Sequence, residues 1–249
     1  MYLKVCISIL INYLMDKYNY LKQYIDYTWH QQYSPEREVL HAQIMDDHFT
    51  GLKINDPNNP KIIFTGGCYG AGKGHTLRSM QSLGKIKLNE WVCLDPDRIR
   101  IKFPEYNDLL NDNPETVGYK TGKEAGYLVE MVEYYALTNG YNIIVDGSLK
   151  DHEWYIQHFN WIKINFHQYQ TIIIFVFASW ENIVTRNNKR CSETSRCVPR
   201  KSLFETSQQM EKSFQEYLKI IEKCYIVHNN GSGDSDDMQF LNDISQIDI

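Results

Sequence analysis

The sequence has no excess of basic residues. Of its 249 residues, 26 are Lys or Arg and 31 are Asp or Glu, which gives a net charge of −5. A protein that binds along a nucleic-acid backbone needs a basic patch or stripe to neutralise the phosphates. We therefore expect that an extended nucleic acid is not its main partner.

Paired cysteines are also lacking. None of the six cysteines forms a Cys-x-x-Cys pair, and the closest two, Cys191 and Cys197, are six positions apart. The eight histidines likewise lack ligand spacing to each other or to cysteine. Because disulfide frameworks and zinc sites need tighter or paired spacing, we predict reduced thiols and a cytoplasmic location. We expect any metal to arrive with a bound ligand.

Long apolar runs are missing as well. No stretch approaches the length of a membrane-spanning helix, about 18 apolar residues, so we expect no contact with a membrane. The mildly apolar start, residues 1–14, is interrupted by Asn12 and Tyr13 and has no small-residue cleavage site. This pattern favours a packing helix over a signal peptide.

The chain divides into two parts that differ in pattern. Apolar residues recur at helical spacing in residues 1–50, and Ser34-Pro35 is typical of a helix start. Residues 55–60 have turn chemistry throughout. We predict an N-terminal helical extension over residues 1–55 and a single α/β domain over residues 56–249.

Short apolar segments alternate with helical segments from residue 60 onwards. We predict strands at residues 62–64, 91–94, 142–146, 171–178 and 224–228, and helices near 115–139, 152–166, 180–190 and 200–223. This alternation predicts a parallel sheet covered by helices on both faces. After Gly231 we expect a flexible acidic loop and then a weak terminal helix.

The most specific motif follows the first predicted strand. From Gly67 the chain reads G-x-x-x-x-G-K, directly before an amphipathic helix. In that context the glycines, the helix N-terminus and Lys73 are typical of a loop that binds the phosphates of a nucleotide. The residues predicted to bind ATP here are Gly67, Gly70, Ala71, Gly72, Lys73, Gly74, His75 and Thr76.

Gly74 departs from this motif. The residue after the lysine is normally Ser or Thr, whose hydroxyl binds Mg²⁺. Either Thr76 or another group takes over that role, or magnesium is held mainly by water and phosphates. The sequence leaves these alternatives open.

Acidic residues follow the second and third predicted strands, at the sheet edge where α/β proteins bind ligands. Asp97 is a candidate general base for an attacking hydroxyl, whereas Asp95 fits the cap of the next helix. Asp146 and Ser148 are candidates for contact with a substrate hydroxyl or with a water bound to magnesium.

Arginines follow the fourth predicted strand. Arg186 and Arg190 lie four residues apart on one helix, and Arg196 lies in the loop after it. Cations over a phosphate site can neutralise the charge that develops during phosphate transfer. A run of arginines is otherwise an ordinary solvated helix face.

Together these motifs resemble the zeta-toxin family of P-loop kinases. The motifs that carry the resemblance occur in the family's order and are the Gly-Ala-Gly-Lys73 loop, Leu94-Asp-Pro-Asp97-x-x-Arg100 with Pro104-Glu105-Tyr106, Thr121-x-x-Glu124-Ala125, Ile144-Val-Asp146-Gly-Ser148-Leu149, and Arg186…Arg190…Ser195-Arg196-x-Val-Pro199. The match covers residues 60–230 and leaves the N-terminal 50 residues outside. Asp146 stands where the bacterial toxins carry Glu.

The resemblance implies an ATP-dependent kinase that uses Mg²⁺. Bacterial members phosphorylate the 3′-hydroxyl of UDP-N-acetylglucosamine, so a UDP-sugar is the implied substrate and an antitoxin-like protein is an implied partner. The implied roles are a phosphate-binding Lys73, a base at Asp97, and charge stabilisation by Arg186 and Arg196. Arg190 is expected to bind the nucleotide. The residues expected to bind the substrate are Arg100, Glu124, Asp146 and Ser148.

Three other functions share part of this pattern. A GTPase switch needs an N-K-x-D guanine motif, and the nearest string, Asn188-Lys189-Arg190-Cys191, lacks the Asp. A nucleic-acid end kinase or tRNA-modifying kinase shares the fold, but its substrate patch should be basic. A catalytically inactive nucleotide sensor is a further alternative, which Gly74 favours.

Overall fold

The computed structural model describes residues 13–54, 56–194, 196–221, 223–231 and 238–240. The predicted packing helix over residues 1–14 therefore lies outside the described residues, apart from its last two positions. Residues 13–19 are helical and continue into a 3-10 turn at Tyr20–Tyr24. Among the described residues, no helix combines the length and the apolar character that crossing a membrane requires.

Helix α1 (Pro35–Asp47) begins where the sequence predicts it. The side chain of Ser34 accepts a hydrogen bond from the backbone N–H of Arg37 at 3.3 Å, and Pro35 occupies the first turn. A serine cap satisfies an N–H that has no partner inside the helix, and proline has no N–H to satisfy. The predicted helix start is confirmed.

Six strands form one mixed sheet in the described part of the chain. The strands are β1 (Lys61–Gly66), β2 (Val92–Leu94), β3 (Ile143–Asp146), β4 (Gln170–Phe177), β5 (Lys223–Asn229) and β6 (Met238–Phe240), in the spatial order β2-β3-β1-β4-β5-β6. The first five are parallel, and β6 pairs antiparallel with β5. The five predicted strands and the α/β class are confirmed.

Helices cover both faces of the sheet. After α1 they are α2 (Lys73–Ser82), α3 (Pro96–Arg100), α4 (Tyr106–Asp112), α5 (Val117–Asn139), α6 (His152–Asn165), α7 (Trp180–Thr194) and α8 (Arg200–Tyr217), with a 3-10 turn at Leu88–Glu90. One core cluster joins Phe64 of β1 to α5, α6 and α8, and a second joins Ile63 of the same strand to α2. Alternate residues of β1 thus face opposite layers, because strand side chains alternate in direction.

The N-terminal residues share the core of the sheet. Leu21, Ile44 and Met45 are fully buried and belong to the same apolar cluster as Leu128 of α5. The predicted division at residues 55 and 56 stays a prediction, but no separate core marks the N-terminal part within the described residues.

The predicted weak terminal helix is wrong where the chain is described. Residues 238–240 form β6, with Val227 opposite Phe240 and Asn229 opposite Met238. Met238 and Phe240 pack against the core cluster beside α2, whereas Gln239 is exposed. This period of two suits a strand at a sheet edge. The predicted acidic loop lies largely outside the described residues.

Candidate active site

A cleft of about 630 Å³ opens at the carboxyl edge of the sheet, where the loops after β1, β2 and β3 meet α7. The predicted site residues that line it are Gly70, Gly72, Lys73, Gly74, His75, Asp97, Arg100, Asp146, Ser148, Arg186, Arg190 and Arg196. The predicted residues that do not line it are Gly67, Ala71, Thr76 and Glu124. The structure therefore gathers most of the predicted site at the edge where parallel sheets bind ligands.

The glycine loop, residues 67–73, joins β1 to α2. Gly72 precedes the helix with φ of 98°, a left-handed conformation that favours glycine. Its carbonyl oxygen accepts from the N–H of Thr76 at 2.9 Å and so starts the helical ladder. The N–H groups and the dipole of a helix N-terminus are suited to an anion. The loop and α2 thus form a site with phosphate-binding character.

Replacing Gly72 tests this geometry. In Gly72→Ala the new Cβ would collide with the side-chain amide nitrogen of Asn229, and the positive φ would also be strained. Gly84 is the matched control, because its φ is 69° and a Cβ added there would meet nothing within 4 Å. We expect Gly84→Ala to cost about 1–2 kcal/mol of unfolding free energy. Gly72→Ala should cost more and should abolish ATP binding, measured by denaturation and calorimetry. Equal effects of the two variants would contradict this account of the loop.

Lys73 points its ammonium back over the glycine loop. Nζ donates to the carbonyl oxygen of Gly67 at 3.0 Å and lies 4.0 Å from Oδ1 of Asp146. Asp146 lies opposite Thr65 in the pairing of β1 with β3, and Oδ1 accepts from the Thr65 hydroxyl at 2.8 Å. The sheet therefore fixes a carboxylate beside the lysine.

Arg186 of α7 forms hydrogen bonds to the glycine loop. Its Nη1 donates to the carbonyl oxygens of Gly70, Ala71 and Asn229 at 3.1–3.4 Å, and its Nη2 to the carbonyl oxygen of Gly231 at 2.6 Å. The buried side chain of Asn229 accepts from Arg186 at 3.2 Å and donates to Ala71 at 3.0 Å. Arg186 thus contacts the loop backbone, and its predicted role at the transferred phosphate stays a prediction.

Asp97 lies where three arginines converge. It occupies the first turn of α3, and its Oδ2 accepts from Nη2 of Arg190 at 3.1 Å and also contacts Nη2 of Arg196. Nε of Arg100 lies 3.5 Å from Oδ1. Charged groups on both sides make these hydrogen bonds stronger than neutral ones. The structure therefore places the predicted base in direct contact with two of the predicted phosphate-side cations.

Asp95 caps α3, as predicted. Its Oδ1 accepts from the backbone N–H of Asp97 at 2.8 Å. Burial raises the pKa of Asp95, and the negative charge of Asp146 at the end of the adjacent strand raises it further. Two carboxylates thus lie close together beside the glycine loop. The described residues contain no group of three or more His, Cys, Asp or Glu side chains arranged for a metal ion.

The residues after Lys73 divide between the cleft and the core. Thr76 is fully buried, and its hydroxyl donates to the carbonyl oxygen of Gly72 at 3.2 Å and contacts Sδ of Met238 at 3.4 Å. Its predicted contact with the nucleotide or with magnesium is therefore not supported by its position. His75 lines the cleft, and its buried Nε2 has no hydrogen-bond partner in the described part of the chain.

Comparison with known proteins identifies the family. The family model described as Zeta toxin matches residues 46–235, which is more than half of the chain. The chain belongs to the Zeta toxin family. No curated protein matches it in sequence.

Solved structures share the fold. A structure from the PezAT chromosomal toxin-antitoxin system of the human pathogen Streptococcus pneumoniae aligns with a TM-score of 0.62 and 20% identity, over 88% of this chain and 87% of that chain. An AvrRxo1-ORF1:-ORF2 structure with ATP aligns with a TM-score of 0.56 and 12% identity, over 84% of this chain and 71% of that chain. At these identities the likeness shows a common P-loop kinase-like fold.

In this Zeta toxin family member, Glu124 contacts the N-terminal helix α1. Its Oε1 accepts from Nε of Arg37 at 2.5 Å and lies 2.6 Å from Nε2 of His41, and its Oε2 accepts from Nη2 of Arg37 at 3.0 Å. Arg37 also binds Glu105 through both terminal nitrogens. Glu124 therefore joins α5 to α1, and its predicted contact with substrate stays a prediction.

This cluster predicts a defined response to acid. Burial alone would raise the pKa of Glu124, but hydrogen bonds from His41 and Arg37 hold it below the ordinary value of 4.5. A lowered folded-state pKa contributes stability above the unfolded value, and that stability is lost as the pH falls through the folded pKa. We expect Glu124→Gln to lower the unfolding free energy at neutral pH by about 1.5–3 kcal/mol.

The matched control is Glu205→Gln, because Glu205 forms an exposed pair with Lys201 at 3.8 Å. Such pairs contribute about 0–1 kcal/mol. Urea unfolding at several pH values should show a shallower loss of stability on acidification in Glu124→Gln than in the control. Parallel pH profiles for the two variants would contradict the structural role of Glu124.

The prediction of reduced thiols throughout is wrong. Cys191 and Cys197 form a disulfide with their Cα atoms 4.5 Å apart. Cys191 lies in the last turns of α7, and the chain reverses direction before α8, so six positions of sequence separation become a short distance. Cys68, Cys93 and Cys224 are free, and Cys6 lies outside the described residues.

Among the residues of the site that were not predicted are Asn229, Tyr69 and Lys150. Asn229 ends β5 and could have been found by applying the rule about carboxyl ends to the last parallel strand. Tyr69 lines both the cleft and an adjoining cavity of about 280 Å³, which Lys150 also lines. No motif marks Tyr69 or Lys150, because neither has a distinctive spacing to the lysine of the glycine loop.

Proposed function

We propose that this chain is an ATP-dependent kinase that transfers the γ-phosphate of ATP to a hydroxyl group of a small molecule. The observation that carries the proposal is the shared cleft. Lys73 and the glycine loop form one wall, and Asp97 with Arg190 and Arg196 forms the other. Phosphate transfer needs a site that binds the phosphates of the donor, a base next to the acceptor hydroxyl and cations between the two.

The nucleotide side consists of the glycine loop, Lys73 and the start of α2. Loop N–H groups and the lysine ammonium suit the β- and γ-phosphates. The carboxylates of Asp95 and Asp146 would hold Mg²⁺, because burial and the negative charge of Asp146 raise the pKa of Asp95 and a cation would offset both effects. The ion would neutralise negative charge on the phosphates during transfer. With Gly74 after the lysine, that position of α2 offers no hydroxyl to the ion.

The acceptor side is built around Asp97. Its carboxylate is partly exposed to the cleft and takes the proton from the attacking hydroxyl. Arg190 and Arg196 lie on the same carboxylate, so their guanidinium groups are close to the point where negative charge develops on the transferred phosphate. Arg186 stabilises the conformation of the glycine loop through hydrogen bonds to the loop carbonyl oxygens.

The acceptor binds in the cavity beside Asp97. This cavity is lined by the cations Arg100 and Lys150 and by the aromatic rings of Tyr69 and Tyr106. Cations suit the phosphates of a nucleotide, and aromatic faces suit a base. A nucleotide sugar matches both features, and UDP-N-acetylglucosamine is the acceptor that the resemblance implies. The likeness to a toxin-antitoxin structure supports an antitoxin-like protein partner, and we place the enzyme in the cytoplasm.

The test is a panel of acceptors incubated with ATP and Mg²⁺. The panel contains UDP-N-acetylglucosamine, UDP-glucose, uridine and an oligonucleotide with a free 5′-hydroxyl, and the phosphorylated acceptor is quantified by mass spectrometry. We expect product from UDP-N-acetylglucosamine. Product from the oligonucleotide alone would favour a nucleic-acid end kinase, and ATP binding without any product would favour a nucleotide sensor.

A further inference from the structure

The disulfide lies between the two arginines that contact Asp97. Cys191 directly follows Arg190 in the last turns of α7, and Cys197 directly follows Arg196 in the segment before α8. Both arginine side chains contact Oδ2 of Asp97. The covalent bond therefore fixes the spacing of two backbone positions whose side chains share one oxygen atom.

Other contacts hold this segment less firmly. The Thr194 hydroxyl donates to the carbonyl oxygen of Arg190 at 2.7 Å and accepts from the N–H of Arg196 at 3.4 Å. Nδ2 of Asn187 donates to the carbonyl oxygen of Val198 at 3.1 Å. These are ordinary side-chain hydrogen bonds, and each exchanges with water when the segment moves. A disulfide does not exchange with water, so it is the strongest restraint on the position of Arg196.

A restraint helps because the two arginines repel each other. Guanidinium groups stay charged in proteins, so the repulsion between two of them beside one carboxylate offsets part of their attraction to Asp97. Each long side chain also loses rotamer freedom when it is fixed on Asp97. Because the disulfide already restricts the backbone next to both arginines, less conformational entropy is lost when their side chains bind Asp97.

We propose that the Cys191–Cys197 pair is a thiol–disulfide site that positions Arg190 and Arg196 at Asp97, so that oxidation raises the rate of phosphate transfer. This inference rests on the proposed function. Oxidation transfers two electrons and two protons from the Cys191 and Cys197 thiols to a small disulfide such as oxidised glutathione. One S–S bond forms in the protein as the other breaks, and two glutathione thiols are released.

The location of the pair suits this exchange. Cys191 and Cys197 are half-buried, so a small thiol reaches them more easily than it reaches a core cysteine. Cys68 is buried, and burial raises the pKa of Cys68, Cys93 and Cys224. A raised pKa leaves less of the reactive thiolate at neutral pH. Exchange is therefore directed to the pair beside the arginines.

The test compares the full chain in oxidised and reduced glutathione, with thiols counted by alkylation and mass spectrometry. Reduction should lower kcat at least about tenfold with little change in the ATP affinity, because misplaced catalytic groups slow transfer strongly. Cys191→Ser with Cys197→Ser should have the reduced rate in both buffers. Cys224→Ser, the matched control, should respond like the wild type. Equal kcat of wild type in the two buffers, with the thiol count changed, would overturn the proposal.

Hydrogen exchange of the peptide covering residues 190–199 gives a readout that needs no acceptor. Reduction should speed exchange in the wild type and leave the double serine variant unchanged. Redox-dependent exchange without transfer in either buffer would refute the proposed function but support the positioning of the segment by the disulfide. Unchanged exchange, or a pair that stays reduced in oxidised glutathione, would overturn the inference itself.

Discussion

Asp97→Asn is expected to lower phosphate transfer by at least about a hundredfold while ATP binding persists, because a placed carboxylate typically contributes about 10²–10⁴-fold as a general base. Asparagine has nearly the same shape but cannot accept the proton. The amide can still accept hydrogen bonds from Arg190 and Arg196, so the cleft should keep its shape. The measurement is kcat for formation of the phosphorylated acceptor, with the ATP dissociation constant from calorimetry.

The control for this prediction is Asp151→Asn. Asp151 accepts from the N–H of Trp154 at 3.2 Å as the cap of α6, and asparagine caps a helix equally well. Its turnover and its melting temperature should match the wild type. Transfer at the wild-type rate in Asp97→Asn would place the base elsewhere, and Asp146 would be the next carboxylate to replace.

Lys73→Ala is expected to weaken ATP binding about tenfold to a hundredfold and to abolish detectable transfer. Hydrogen bonds to charged groups contribute about 1.5–3 kcal/mol, and each 1.4 kcal/mol is about a factor of ten in affinity. In the free protein Nζ donates to Gly67, so the loop also loses a contact. Calorimetry with ATP and a melting curve separate weaker binding from unfolding.

A surface lysine serves as the control here. Lys87 is 74% exposed and forms a surface pair with Glu90 at 3.3 Å. Lys87→Ala removes one positive charge just after α2 without touching the cleft, so its ATP affinity should equal that of the wild type. If Lys73→Ala binds ATP as tightly as Lys87→Ala does, the glycine loop is not the nucleotide site.

Much of the site could be predicted from one rule, that ligands bind at the carboxyl ends of parallel strands. Gly67 follows β1, Asp97 lies three residues after β2 and Asp146 ends β3, and the carboxyl ends of parallel strands meet at one edge. Their apolar runs made these strands recognisable, and the glycine motif identified the central one. Asn229 at the end of β5 obeys the same rule, but no acidic or glycine motif drew attention to it.

The remaining features depend on tertiary contacts that spacing does not encode. Glu124 and Arg37 are far apart in the sequence, yet packing of α1 on α5 brings their side chains together. Cys191 and Cys197 approach because the chain reverses between α7 and α8. In the same way, β6 depends on the pairing of residues 238–240 with β5, which the sequence does not indicate.

The most direct test of the central claim follows the γ-phosphate itself. The full chain is incubated with Mg²⁺, UDP-N-acetylglucosamine and ATP whose γ-phosphate is labelled with oxygen-18. The masses of all products are then measured by mass spectrometry. A kinase of the kind we propose transfers the labelled phosphate to the sugar nucleotide and releases an equal amount of ADP. Label found only in inorganic phosphate, or ATP left intact, would contradict that claim.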